Sequence, residues 1–275
     1  MVNVRRSFSL LVVVCFSCLW LSGQTLANLR LSHDSTVKIV SQSANSSGSG
    51  FFIGNRYVMT CFHVVSALSQ PQGGMFRFQI YPDLQVTFAS GETISGTVTT
   101  VPTETDSDPL TYDFAIIKLE RAPQTPAVKV ELAATTELPD FGSDVVFSGF
   151  PLATPGMVTH RGMISGNDET KSLIFIEAPI NRGNSGGALL NSQGHVIGIV
   201  SMREGGISPQ LTELRSYITG LSGAANSVTI NGVSPLQSTN AIINTLDAYI
   251  STGIGYARSI RFAREYLSKH PDILK

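Results

Sequence analysis

Twelve short runs rich in Val, Ile, Phe, Tyr and Thr, bounded by Gly, Asn, Pro or Asp, constrain this chain more than any other feature. Six come first: Thr36–Val40, Ser49–Ile53, Tyr57–Thr60, Phe76–Tyr81, Ile94–Thr100 and Phe114–Leu119. A polar, proline-bearing stretch follows, Arg121–Pro126. Six more come after it: Val145–Ser148, Met157–Ile164, Leu173–Ala178, Ala188–Leu190, Val196–Val200 and Ile254–Ala257. Short antiparallel strands leave edges exposed, and closing each sheet on itself removes them. The expected fold is all-β: two six-stranded antiparallel β-barrels side by side. One is expected over about residues 34–120 and the other over about 137–258.

Two stretches break the β pattern. Residues 203–250 are longer than a hairpin needs. Within them Ser234-Pro235 reads as an N-cap followed by a proline in the first helical turn. Ile242, Leu246, Tyr249 and Ile250 then recur at helical spacing. This predicts a helical insertion, which we read as a packing addition rather than a functional lid. Over 257–269, Ile260, Ala263 and Leu267 repeat at the same spacing and predict a C-terminal helix. Ser41–Gly50 is rich in Ser, Gly and Asn and reads as a loop.

The first 27 residues read as an export signal: Arg5 and Arg6, then an apolar run from Phe8 to Leu21, then Thr25 and Ala27 as small cleavage-site residues. The apolar run is shorter than the roughly 20 residues of a bilayer span. Cleavage after Ala27 would leave 28–275 as one domain, exported to a periplasm or secreted, with no stable membrane insertion. Of the three cysteines, Cys15 and Cys18 fall in the signal, so Cys61 remains alone and no internal disulfide can form. With 19 basic and 20 acidic residues, the chain lacks the basic excess of a nucleic-acid binder.

The chemistry is concentrated in three places. The string Asn181-Arg182-Gly183-Asn184-Ser185-Gly186-Gly187 has the features of a nucleophile turn. It offers an exposed hydroxyl, converging backbone N–H groups, and small neighbours that admit a substrate backbone. The turn Gly183, Asn184 and Ser185 would then form an oxyanion hole, with the N–H groups of Gly183 and Ser185 as donors. His63 follows an apolar strand, where it can act as a general base. Asp113 opens another apolar strand, and a buried carboxylate needs a partner. The imidazole of His63 would be that partner. Asp106 and Asp108 compete for the role but sit in a polar loop with Pro109. Fifty residues separate His63 from Asp113 and 72 separate Asp113 from Ser185, which puts the first two in one strand group and the third in the other. The site then falls in a cleft between barrels. Cys61 reads as a small buried core residue. His33, His160, His195 and His270 offer no metal-ligand spacing.

These pieces together resemble the trypsin-like superfamily, and within it the HtrA/Deg branch. The matching segments are GSGFFIG, YVMTCFHVV, DFAIIKLE, FGSDVVFSGFP, INRGNSGGALLN with HVIGIV, and GIGYARS. The order His, Asp, Ser is that of the chymotrypsin-type triad. The resemblance implies two perpendicular barrels and a serine endopeptidase acting on polypeptides, with His63, Asp113 and Ser185 as triad and no metal or organic cofactor. It also implies substrate contacts from Ile180, Ile199, Val200 and Ser201, with Ile199–Ser201 pairing to the substrate backbone. Ile180 and Ile199 suggest a preference for medium aliphatic residues. Three departures stand out. Asn184 replaces the aspartate that captures a freed N-terminus in digestive enzymes, Phe150 stands where the branch usually has Asn, and no sequence follows the C-terminal helix for a PDZ module. Oligomeric state is open. Two other readings stay in view: a gated or non-catalytic, chaperone-like peptide binder using the same cleft, and a serine esterase.

Overall fold

The computed structural model describes residues 25–69, 77–99, 112–152, 154–203, 209–221, 229, 234–249 and 253–274. Arg5, Arg6 and the apolar run lie outside these residues, as do Asp106 and Asp108. Helix α1 covers residues 25–35, which the sequence reading did not anticipate. Eight strands follow: β1 Thr36–Ser41, β2 Ser46–Gly54, β3 Tyr57–Thr60, β4 Ser66–Ser69, β5 Arg77–Ile80, β6 Leu84–Thr87, β7 Thr93–Val98 and β8 Ala115–Leu119. A one-turn helix, α2 (Phe62–Val65), sits between β3 and β4. The other six strands are β9 Asp144–Gly149, β10 Val158–Asp168, β11 Leu173–Glu177, β12 Ala188–Leu190, β13 Val196–Arg203 and β14 Ile254–Ser259.

The strands close into two antiparallel barrels of six, β1-β2-β3-β8-β7-β6 and β10-β11-β14-β13-β12-β9. One expected barrel strand differs. The Phe76–Tyr81 run supplies β5, which pairs with β4 in a separate two-stranded sheet. The sixth place in barrel one belongs to β6, whose Leu84 and Val86 point inward with Phe88 just beyond (1, 0 and 5% exposed). Five alternating residues between Pro82-Asp83 and Ala89-Ser90 were too short a signal to read. The Ser/Gly stretch is also less of a loop than expected. Only residues 42–45 turn, and Ser46–Ser49 already pair with β1; Gly50 leaves room for the Ile39 side chain of β1, and Gly48 leaves room for Val64 of α2.

Each barrel has its own apolar interior. Phe51, Val58, Met59, Ile116 and Ile117 fill the first, and Phe147, Ile164, Ile174, Ile176 and Leu189 fill the second. The insertion forms two helices, α3 (Pro209–Leu221) and α4 (Pro235–Tyr249), which pack on each other. Ser234 caps α4, its Oγ accepting from the N–H of Gln237 at 3.4 Å. The buried α4 residue is Ile243 (2% exposed), whereas Ile242 and Leu246 are 60 and 42% exposed. The inward face is therefore rotated by one residue from the sequence reading. Tyr249's side chain and Ile250 lie outside the described residues.

β14 runs on to Ser259, so the last helix, α5, begins at Arg261 rather than 257 and ends at Lys269. Ile260, Ala263 and Leu267 are buried as expected, against barrel one. The chain thus leaves barrel two and returns to clamp barrel one. Phe262 stacks edge-on against Tyr112 (4.7 Å) and Tyr266 against Phe114 (6.1 Å), gripping the residues on either side of Asp113.

Candidate active site

His63 lies on α2, one turn past the end of β3, rather than on the strand itself. Asp113 precedes β8 by two residues. Its φ is +36°, in the left-handed region that costs a non-glycine residue about 1–2 kcal/mol. The aromatic clamps on its neighbours hold it there. In this pose the carboxylate is 1% exposed and receives several hydrogen bonds. His63 Nδ1 stands 3.0 Å from both Asp113 oxygens. The backbone N–H of His63 donates to Oδ1 at 3.2 Å, and Ser201 Oγ donates to Oδ2 in a very short contact. Four hydrogen-bond contacts thus replace the water lost to burial.

The electrostatics follow from that geometry. Burial alone would raise the Asp113 pKa, but the imidazole beside it and its hydrogen bonds outweigh burial and hold the carboxyl below its ordinary value. For His63, burial alone would lower the pKa. The charge of Asp113 and the hydrogen bond to it prevail, and the imidazole is more basic than usual. The ring is the solvent-facing member, 35% exposed.

Ser185 comes from the second barrel. Its turn is locked from both sides. The Ser185 carbonyl accepts from Ser49 N–H of barrel one at 2.8 Å, and Gly186 N–H donates to Val200 O at 2.7 Å. Gly186, at φ +94°, leaves no room for a Cβ, which would collide with the Ser49 carbonyl. The Ser185 hydroxyl donates to the carbonyl of Ser201 at 2.7 Å. Among the described residues this is its recorded acceptor, and no hydrogen bond joins it to His63. The structure therefore brings His63 and Asp113 into direct contact and ties Ser185 to the same cluster through Ser201.

Two groups hold the backbone ahead of Ser185. The Arg182 carbonyl accepts from Leu152 N–H at 2.9 Å. The Gly183 carbonyl accepts from Ser49 Oγ at 2.6 Å, and Ser49 Oγ in turn accepts from Phe150 N–H at 2.9 Å. Leu152 holds the Arg182 carbonyl and Gly187 N–H holds the Asn184 carbonyl, and the N–H groups of Gly183 and Ser185 that share those peptide planes have no backbone acceptor among the described residues. Asn184, expected in the same turn, differs: its N–H donates to the Asn181 carbonyl at 3.0 Å and is closed to a ligand. Its carboxamide is fully buried, and neither the oxygen nor the nitrogen has a partner among the described residues. Ser49 and Ser201 are the residues that the sequence reading undervalued. The string GSGF held the first, but nothing in it marked a hydroxyl reaching 134 residues along the chain.

The expected substrate contacts need correction. Ile180, Ile199 and Val200 are 2, 1 and 0% exposed and belong to the barrel cores. At Ile199 and Val200, β13 is paired on both sides, to β12 and its preceding turn and to β14. Its pairing on the β12 side ends at Val200, so a strand could be added only from Ser201 onward. Glu177, at the end of β11, is exposed.

Cys61 is fully buried, and its Sγ donates to Val200 O at 3.2 Å. Burial, then the nearby Asp113 charge, push its pKa well above that of an ordinary thiol. One ligand atom each from Cys61, His63 and Asp113 lie within 4.8 Å of one another. The remaining histidines are dispersed: His33 pairs with Asp34, while His160 and His270 stack on Phe147 and Tyr266.

Comparison with known proteins agrees with this architecture. Residues 48–199 match the trypsin-like peptidase domain family. Curated relatives include HhoA of Synechocystis, 30% identical over 211 residues, covering 73% of this chain and 43% of that protein. The serine protease Do-like HtrA of Lactobacillus helveticus is 32% identical over 161 residues (54 and 33%). Human serine protease HTRA3 is 31% identical over 169 residues (58 and 33%). The chain thus spans about a third to two fifths of the length of these relatives. Among solved structures, an inactive serine-to-alanine form of Rv3671c from Mycobacterium tuberculosis superposes with TM-score 0.52 at 20% identity, covering 88% of this chain and 89% of the other, a likeness of fold. Two closed barrels, a His–Asp pair on the first and a glycine-flanked serine on the second therefore accompany a family match across more than half of the sequence, and the chain belongs to the trypsin-like peptidase domain family, with relatives of the HtrA/Deg type.

Proposed function

We propose that the protein is a serine endopeptidase that cleaves polypeptides through an acyl-enzyme, with Ser185 as nucleophile, His63 as general base and Asp113 as its orienting partner. One observation carries the reading: a buried carboxylate, 3.0 Å from the imidazole, with its remaining oxygen contacts supplied by Ser201 and the His63 N–H. A histidine held only for structure would not need so basic an imidazole with its ring open to solvent.

In the first step Ser185 Oγ bonds to the scissile carbonyl carbon and its proton passes to His63 Nε2. Asp113 fixes the Nδ1–H tautomer and stabilises the imidazolium. The carbonyl oxygen becomes an oxyanion, received by the N–H groups of Gly183 and Ser185, each such donor being worth about 3 kcal/mol in barrier. Collapse breaks the C–N bond, and His63 returns its proton to the leaving amine. Water, deprotonated by His63, then releases the acyl group and regenerates Ser185. Substrate backbone would add alongside β13 from Ser201 onward.

The gated reading has one observation in its favour. The Ser185 hydroxyl is engaged with the Ser201 carbonyl, which cannot take its proton, so it must turn toward His63 before attack. Export is part of the proposal. Burial of α1 begins at Asn28 (8% exposed), directly after the cleavage position, while Leu26 is 51% exposed. Among the described residues no helix is long and apolar enough to cross a membrane.

The deciding test is labelling with a fluorophosphonate probe, alongside Ser185→Ala and His63→Ala. Labelling of wild type that is abolished in Ser185→Ala and falls by about a thousandfold or more in His63→Ala supports the peptidase. A folded wild type that resists labelling moves the weight to a gated or peptide-binding role.

A further inference from the structure

Directly behind the His63–Asp113 pair lies a group that the peptidase reaction does not use. The Cys61 sulfur sits at the junction of β3 and α2, with Asp113 and Ser201 as its electrostatic neighbours. With a ring nitrogen of His63 and an Asp113 oxygen it forms a set of three ligand atoms no more than 4.8 Å apart, and Nδ1 is the nitrogen that faces Asp113. Sulfur, imidazole nitrogen and carboxylate oxygen together suit a borderline-soft divalent ion of the zinc class, and poorly suit calcium or magnesium. Ligands around a zinc ion at its usual bond lengths stand about 3–4 Å apart, so the set has to contract by only about an ångström.

Charge supports the same conclusion. Asp113 is a buried carboxylate that is balanced by hydrogen bonds and the imidazole. A dication joined to this carboxylate and a thiolate makes a neutral buried centre, so loading adds no uncompensated interior charge. The imidazole ring, 35% exposed, is the outer wall of the set, so an ion gains entry by displacing it.

We infer that Cys61, His63 and Asp113 form an inhibitory binding site for a zinc-class divalent cation. Loading forms metal–Sγ, metal–Nδ1 and metal–carboxylate bonds. The Cys61 proton leaves to solvent and the Nδ1 proton moves to Nε2, so the imidazole stays neutral. Nε2 then carries hydrogen and has no lone pair for the Ser185 proton, and Asp113 no longer orients the ring. The inhibition rests on the peptidase reading, but the site does not.

Cobalt(II) as the probe separates the two. Added to the folded Ser185→Ala protein, it should produce a sulfur-to-cobalt charge-transfer band that is absent from Ser185→Ala proteins also carrying Cys61→Ala or Cys61→Ser. Circular dichroism confirms that each variant is folded. In the active enzyme, zinc should inhibit reversibly, with chelator restoring the rate. Relative to its own metal-free rate, Cys61→Ala should need at least about 10-fold more zinc, the lower end of what losing even an outer-shell partner costs. Absence of the sulfur band in folded protein overturns the site, whether or not the protein proves to be a peptidase. A band that survives both Cys61 substitutions overturns it equally, and zinc inhibition unchanged in Cys61→Ala overturns the inhibitory role.

Discussion

Replacing Ser49 by alanine tests whether one buried hydroxyl holds the oxyanion turn. Ser49 Oγ donates to Gly183 O at 2.6 Å and accepts from Phe150 N–H at 2.9 Å, in a place with no exposure to solvent. Alanine removes both bonds and leaves a carbonyl and an N–H unpaired. Each buried orphan costs about 1–3 kcal/mol, so the ceiling is about 2–6 kcal/mol, reduced by whatever the loop recovers through relaxing. Part of this cost falls on global stability. The rest falls on the local equilibrium between the observed turn and one in which the Gly183–Asn184 peptide, whose carbonyl Ser49 holds, has rotated and moved the neighbouring Gly183 and Ser185 N–H groups out of line. Each 1.4 kcal/mol moved into that local term reduces the competent fraction about tenfold. We expect kcat/KM on a peptide substrate to fall about 10- to 100-fold, with fluorophosphonate labelling slowed in proportion and the urea midpoint lowered. Labelling and turnover must fall together, because both use the same donors. If Ser49→Ala is destabilised while labelling and turnover stay at wild-type rates, the hydroxyl is structural only and the turn is held by other contacts.

Further outcomes follow from the same contacts. The basic His63 should make kcat/KM rise with pH through a midpoint above the ordinary histidine value of about 6.5; in Asp113→Asn that midpoint should move down, and the plateau should fall by roughly 10⁴ as the tautomer is lost. Asn184→Asp places a carboxylate where no partner stands, which should cost about 3–5 kcal/mol at neutral pH. Because burial would raise the pKa of that new carboxyl, the deficit should shrink on acidification, and a urea titration at two pH values reads it. Glu92 is held at a pKa of about 2 by Thr125, by the N–H groups of Thr125 and Gln124, and by Arg121. Its contribution is complete above the ordinary glutamate pKa and is lost as pH falls from there toward 2, so Glu92→Gln should flatten the acid limb of the stability profile.

The parts of this molecule that the sequence disclosed were those governed by local pattern. Tyr57–Thr60 and Ala188–Leu190 are strands at the bounds read from alternation and flanking turns, and Ser234 caps its helix as its dipeptide suggested. The glycine-rich turn around Ser185 was legible because its backbone demands small residues at fixed positions. What escaped depends on the partners a segment finds. The run around Phe78 has ordinary strand chemistry, and only the competition for barrel places excludes it. Ile180 and Ile199 could equally line a pocket or fill a core, and the pairing of β13 on both sides decides for the core. Ser49 looks like any other hydroxyl in a Ser-rich stretch until Gly183 arrives beside it. Nor could spacing alone bring the Cys61 sulfur against Asp113, because α2 turns the chain between Cys61 and His63 out of strand alternation.

Helix α1 carries a consequence for the order of events in folding. Two of its buried side chains reach far along the sequence: Ser32 shares a hydrogen bond with Ser148, 116 residues on, and Asn28 donates to Ser192 O, 164 residues on. The earliest described residues to be synthesised thus have their docking surface made from strands of the second barrel, whose members include the last strand of the chain. Closing loops of that length is entropically unfavourable until the barrel exists to reward it. The first described residues therefore dock late and become protected only when the whole body has closed; under the export proposed above, they would be accessible to cleavage until then.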